Sequence, residues 1–458
     1  MNISIFRGLP GVALLLCAGL LFVWPLPGTI ALRYLLLLLA GIAVFAASCN
    51  RRVDLRRQLP LVAVLVALSL WFLIQALAIS AETPWALGEL RGQWLPAIAA
   101  CAIGMLLAAG VDSQDRPAAL AVLAASLLLL VVLGIGQSLW HFVRFHQLLR
   151  MEVPLTRGHL EMSVVINTLL SILLSDVLCR IVVGRRLLPI GLPWLVFALV
   201  CALVESYLAN ARNGLIGTVF IVILAAALAL REPRAKRALQ RRKHAVLLAT
   251  AAIAAIATVT LMRDERWHFL DTVPVAWDIR NNTAWLSENR PMPRLPDGST
   301  VEASAYVRIA FIHAGLELMA GNPLGVGYGR NAFDHALVRA YPDADVGHAH
   351  SGWIDLGVGT GLPGVLLWLG LSVVLLRTGW LGWRNGHNGF ALVLLVMTSE
   401  YSLRMLLDSV NRDHMLQTFM FLVGYLSGMA ASEELHGASF DRFPAPDESV
   451  QNNRSPIG

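Results

Sequence analysis

Two histidines stand one residue apart in Gly347-His348-Ala349-His350-Ser351-Gly352-Trp353. An imidazole titrates near pH 6.5, so either ring suits removal of a hydroxyl proton at neutral pH. Asp343 and Asp345 lie close by, and a metal site is a second use of such a pair. Helix capping or contact with lipid headgroups is a third, and spacing alone leaves all three open. The other chemistry-bearing residues are arginines: Arg212 in Asn210-Ala211-Arg212-Asn213-Gly214, Arg308, Arg144, Arg150, Arg157, Arg404 and Arg412. A guanidinium stays charged at any relevant pH and donates paired hydrogen bonds to phosphate oxygens. Arginines beside a histidine suit a polyanion such as a pyrophosphate, with a proton moved next to it. The plainer reading is loop solubility and headgroup contact.

Those residues need a scaffold, and composition says which. Of 458 residues, 57% are hydrophobic and 14% charged, where a soluble domain carries roughly 25% charged residues. Most of the chain is therefore solvated by lipid, where only helices and closed barrels satisfy the backbone. Apolar runs such as Leu35 to Ala47 and Ala118 to Leu133 are continuous rather than alternating, which predicts helices. The expected fold is all-α, a polytopic membrane protein of about twelve spans with one large loop containing short helices. The spans are expected near 8–26, 29–48, 59–80, 94–111, 118–140, 161–180, 187–207, 213–230, 244–262, 351–376, 388–404 and 414–431. That divides the chain into nine spans over 1–262, a loop over 263–350, three spans over 351–432 and a polar tail over 433–458. The first run lacks a small-residue cleavage site and reads as a retained helix. Cys17, Cys49, Cys101, Cys179 and Cys201 lie in or beside apolar segments without metal-ligand spacing and read as inert thiols.

Basic loops orient the spans. Arg51, Arg52, Arg56 and Arg57, then Arg180, Arg185 and Arg186, then the run from Arg231 to Lys243 fall on one side, expected to be cytoplasmic. At this position the 231–243 run is a topology signal rather than a nucleic-acid site. The opposite side should be poor in arginine, yet it carries the candidates above. In the large loop, Trp267, Trp277 and Trp285 suit a membrane interface or stacking on sugar rings. Ser299-Thr300-Val301-Glu302 reads as a capping box opening a helix from about Val301 to Ala320. Gly321-Asn322-Pro323 stops it. Gly325, Gly327 and Gly329 permit a tight turn but form no dinucleotide fingerprint.

Taken in order, Arg308, Asn322-Pro323-Leu324-Gly325-Val326-Gly327, His348-Ala349-His350-Ser351 and Gly361-Leu362-Pro363-Gly364 resemble the signature of the O-antigen ligase and polymerase superfamily over roughly Leu203 to Leu369. Ser351 stands where that family usually has asparagine, and Gly359 where an acidic residue is common. The resemblance implies a membrane glycosyltransferase with no metal and no cofactor. Its donor would be a glycan on undecaprenyl pyrophosphate and its acceptor a hydroxyl of lipid A–core. The site would face the periplasm of a bacterial inner membrane. On this resemblance His350, Arg308 and Arg212 are the expected catalytic residues. His348, Arg144, Arg150, Arg157 and Arg404 are expected to bind substrate.

A polymerase, which moves the glycan to another lipid-linked repeat, and a protein O-oligosaccharyltransferase share these features. A polyprenyl-glycan transporter is the reading from a different class. It is disfavoured because the polar and glycine-rich features crowd into one loop and the acidic residues Asp176, Glu205 and Glu400 sit near span ends. Glycan, acceptor sugar and oligomeric state are not legible in the residues.

Overall fold

The computed structural model describes residues 8–49, 51, 55–147, 153, 155–156, 158–232 and 269–433. The expected span at 244–262, Trp267, Arg150, Arg157 and nearly all of the polar tail lie outside the described residues. The chain is all-α and polytopic. In order, the long helices are α1 (Gly8–Val23), α2 (Ile30–Ser48), α3 (Leu55–Ile74), α4 (Thr83–Glu89), α5 (Leu95–Gly110), α6 (Arg116–Phe145), α7 (His159–Leu178), α8 (Leu192–Ala209) and α9 (Arg212–Arg231). Then come α10 (Phe269–Trp277), α11 (Ala303–Gly321), α12 (Ala332–Ala340), α13 (Gly352–Gly386), α14 (Gly389–Leu407) and α15 (Asp413–Glu433). Among the described residues nine helical stretches are long and apolar enough to cross a membrane. The first expected span is the shorter α1, and the last is α15, whose apolar residues are buried in the bundle rather than turned to lipid.

Small residues let helices approach where lipid gives no hydrophobic drive between them. Helices α5 and α15 show it best. A Cβ added at Gly104 would strike the backbone of Phe421 and Tyr425, and one at Gly424 the backbone of Cys101. The helix ends sort onto two faces. On one, Arg51 pairs with Asp112 at 2.6 Å, Gln58 donates to Ser427 O at 2.8 Å, and Arg231 lies over Trp380. On the other lie the 269–351 segment and Arg212, Arg308, Arg330 and Arg412. Arg51 and Arg231, described members of two of the basic loops, thus share a face, opposite the candidate arginines.

Helix α13 is broken near the second face. Gly361 has φ +66° and ψ −174°, far from helical values. A break within a lipid-embedded segment frees carbonyls that water cannot reach. Here the Pro323–Gly327 loop takes them up. Val326 N–H donates to Val358 O at 3.1 Å, Gly327 N–H to Gly359 O at 2.9 Å, and Leu362 N–H to Pro323 O at 2.9 Å. Gln75, in the single π turn that ends α3, donates to both Leu324 O and Gly359 O, and Trp71 Nε1 donates to Thr360 O. The two glycine motifs that looked weak apart are one interlocked unit. Gly361 and Gly325 (φ +81°) are irreplaceable on two counts, conformation and the absence of room for a side chain.

The 269–351 segment has its own apolar core, with Trp285, Tyr306, Phe311, Phe333 and Leu337 closing on Val326, Ile354 and Val358. It is a packed cap on α13, not a solvated connection. The capping-box reading is corrected. Helix α11 starts at Ala303, and Glu302 itself is the cap, accepting the Ala305 N–H at 2.5 Å. Ser299 is used by a turn, bonding to Asp297, and Thr300 pairs with Arg294 in an isolated bridge, so neither is free to cap.

Gly361→Ala is expected to lower stability by about 2–4 kcal/mol, since it combines strain at positive φ with a backbone clash. Gly370→Ala in the same helix, where a Cβ meets nothing, should be neutral or slightly stabilising. Thermal unfolding of the detergent-solubilised protein checks both.

Candidate functional site

The histidine turn is held from behind. Asp355, one turn into α13, accepts the Ala349 N–H at 2.8 Å and the Ser409 hydroxyl. Gly352 N–H donates to Asp408 O at 3.0 Å, Asn411 Nδ2 to Gly352 O at 3.1 Å, and Ser351 Oγ to Met405 O at 3.2 Å. The 347–351 turn is thereby stitched to the α14–α15 turn. Ala349 is buried between the two histidines, and His350 is held at φ +52°, a conformation that disfavours a side chain. The imidazoles lie with ring centroids 4.2 Å apart, and the ring of Phe311 lies parallel to His350 at 6.0 Å. Phe311 is three residues beyond Arg308 on α11, so a helical turn places Arg308 on the same side.

Two guanidinium groups bear on this pair: Arg308 on His350, and Arg412 on both rings. Among the described residues neither Arg308 nor Arg412 has a side-chain hydrogen bond or ion pair, and Arg412 Nε is buried without a partner. Burial, then Arg412, then His350 push His348 down to about 3. Burial, then Arg308, then Arg412 push His350 down to about 4. Both rings are therefore neutral at pH 7, each with one nitrogen free to accept a proton. A half-buried site with two guanidinium groups outside any direct ion pair and neutral acceptors beside them suits an anion.

The other expected residues fall as follows. Arg212 opens α9 and pairs with Glu302 at 2.8 Å. That ties the start of α9 to the start of α11, six residues before Arg308. Arg404 is 1% exposed, bonded to Ser163 at 2.8 Å and paired with Asp408 at 3.2 Å. Asp408 also accepts from Asn213 Nδ2 at 2.7 Å. Arg144 is exposed at the end of α6, over Trp140 and Phe145. Trp285 is core, its Nε1 donating to Ile279 O, while Trp277 stacks on His313 at 4.5 Å. Asp343 is exposed and faces Arg290 at 3.6 Å. Among the described residues no three of His, Cys, Asp and Glu converge as metal ligands.

Sequence reasoning noted Arg412 without giving it a site role, and missed Asp355. Arg404 and Arg412 both flank the α14–α15 turn, and Arg404 was preferred. The i, i+4 spacing of Arg404 and Asp408 signals a pair satisfied within the helix, which leaves Arg412 as the available cation. Asp355 is an ionisable residue inside an apolar span, a pointer in its own right.

Residues 196–369 match the family model described as O-antigen ligase. No curated protein matches the chain. The matched stretch contains Arg212, Arg308, both histidines, Asp355 and both halves of the glycine interlock, and ends before Arg404 and Arg412.

The depressed histidines set a pH dependence. In the unfolded chain they bind protons near pH 6.5, in the fold only near 3 and 4. Their neutral forms cost nothing above 6.5, and stability is lost as pH falls from there toward 4. A His348→Gln, His350→Gln double variant should lose less thermal stability than the parent between pH 7 and 4.5; parallel melting curves would contradict this.

Proposed function

Because residues 196–369 match the O-antigen ligase family model, which implies a glycosyltransferase-like activity in a multi-pass membrane protein, we propose that this protein is an O-antigen ligase. It transfers a glycan from undecaprenyl pyrophosphate to a sugar hydroxyl of lipid A–core. The observation that carries the reading is the placement of two neutral imidazoles against two unpaired guanidinium groups at one face of the bundle. With the basic loops cytoplasmic, that face is periplasmic.

The acceptor oxygen attacks the anomeric carbon from the side opposite the pyrophosphate. The new C–O bond forms as the old one breaks, and its electron pair leaves on undecaprenyl pyrophosphate. The configuration inverts. His350 takes the hydroxyl proton, with His348 beside it to orient the hydroxyl. Arg308 and Arg412 stabilise the charge that grows on the leaving pyrophosphate, fixed in advance by their helices. Burial first, and the two cations after it, hold the histidines at weak basicity. A bound pyrophosphate neutralises those cations, so the donor itself raises the base toward useful strength. Arg212 acts by anchoring α11 through Glu302, or on a more distant phosphate. The polyprenyl tail lies in lipid along the exposed apolar side of α8 and α9, where Val200, Val204 and Ile223 face outward.

Purified protein supplied with undecaprenyl-pyrophosphate glycan and lipid A–core should yield a ladder-shifted lipid A–core. Arg308→Ala or Arg412→Ala should lower kcat by about 10²–10³-fold, and His350→Ala by about 10²–10⁴-fold. Longer glycans on the polyprenyl carrier with no shifted core would make it a polymerase instead.

A further inference from the structure

Arg412 is the cation that bears on both histidines, yet among the described residues no ion pair holds its side chain. An arginine carries about 2 kcal/mol of rotamer entropy, so a guanidinium outside any ion pair is aimed chiefly by its backbone. That backbone is pinned on each side. Asn411 Nδ2 donates to Gly352 O at 3.1 Å, which ties it to the histidine turn. Arg412 O accepts the Leu416 N–H at 3.2 Å, as α15 begins. Asp413 follows at φ +49°, a left-handed conformation that few residues with side chains keep without outside support.

The support is a closed ring of four residues. Arg330 reaches Glu89 through Nε and Nη2, at 3.1 and 2.9 Å, and Asp413 through Nη1 at 3.1 Å. Its own amide also donates to Glu89, at 3.0 Å. Gln93 completes the ring, donating to Glu89 at 2.8 Å and accepting the Asp413 N–H at 2.8 Å. Both the amide and the carboxylate of Asp413 are thereby fixed. The base of the ring is buried, with Gln93 3% and Glu89 9% exposed, and a Cβ at Gly329 would strike Glu89 and Trp85. Arg330 holds two carboxylates in different directions, a use of the planar fork that a flexible ammonium does not reproduce. The cap is already stapled to the same hairpin where Arg339 and His335 meet Glu82, at 2.7 and 3.1 Å. The arm from Arg330 to Asp413 adds a constraint elsewhere, on the residue next to Arg412.

We infer that Arg330 is a positioning residue, which through Asp413 aims the Arg412 guanidinium at the pyrophosphate. The inference rests on the glycosyl-transfer reading, in which Arg412 stabilises the leaving group.

A double-mutant cycle tests it. Arg330→Lys keeps the charge and a partner for Glu89 but loses the fork. It should lower kcat for glycan transfer about 10-fold, less than the roughly 10²-fold that a 1 Å misplacement can cost, with KM for lipid A–core within about 2-fold. On an Arg412→Ala background the same substitution should change kcat by less than about 2-fold, because no guanidinium remains to be aimed. Glu89→Gln is the second variant. It frees Arg330 from one carboxylate, so kcat rises if Arg330 meets the pyrophosphate itself and falls if it acts through Asp413. An unchanged kcat in Arg330→Lys, equal losses with and without Arg412, or a gain in Glu89→Gln would each overturn the proposal. If the parent transfers no glycan, the transfer reading fails, and the ionisation of His348, followed by NMR of labelled histidine, decides the positioning role instead. Arg330→Lys should then shift that ionisation upward, as Arg412→Ala does, since the cation bearing on the ring is displaced. No shift would refute it.

Discussion

A helix interrupted inside a membrane must have its freed backbone groups satisfied by protein, because lipid offers no partner. In this protein that constraint is met by the loop Pro323–Gly327, whose amides and carbonyls complete the break at Gly361. Much else follows from the interlock. It pins the loop between α11 and α12 to the bundle, and with it the start of α12 and the end of α11. Because α11 carries Arg308, the arginine is placed relative to α13, and α13 carries Asp355, which holds the histidine turn. The chemistry sits at the surface, but its geometry is fixed by hydrogen bonds about two to three helical turns deeper.

The second organising feature is a division of charge. Arginines at this face fall into ion-paired and unpaired sets. Arg404 is closed within the bundle by Asp408 and Ser163, and Arg330 by Glu89 and Asp413. Arg308 and Arg412 have no such partners among the described residues, and they are the two that bear on the histidines. Ion-paired guanidinium groups build the walls; the unpaired ones leave a field for an incoming anion. Burial and the same field keep the histidines neutral, and a bound anion offsets the field's share of that shift, which couples donor binding to base strength without a moving part.

How much of this was legible beforehand can be judged residue by residue. The all-α polytopic class was, since runs such as Ala118 to Leu133 are continuous and helical backbone is obligatory in lipid. His350, His348 and Arg308 were singled out from residue type and order, and the fold brings them together. Their arrangement with Arg412 was not legible, because it depends on which arginine near the α14–α15 turn is consumed by Asp408. The capping of α11 by Glu302 was misread because Ser299 and Thr300 are taken by a turn that only tertiary packing specifies.

The central claim is that a neutral imidazole, depressed by burial and by two arginines, takes the acceptor proton. The pH dependence of kcat/KM for glycan transfer tests it most directly, because that ratio reports ionisations of the free enzyme. The account predicts an acid limb near pH 4, where His350 protonates, and a shift of that limb upward in Arg308→Ala or Arg412→Ala as one opposing charge is removed. An acid limb that stays between pH 6 and 7 in the parent and does not move in either arginine variant would contradict it.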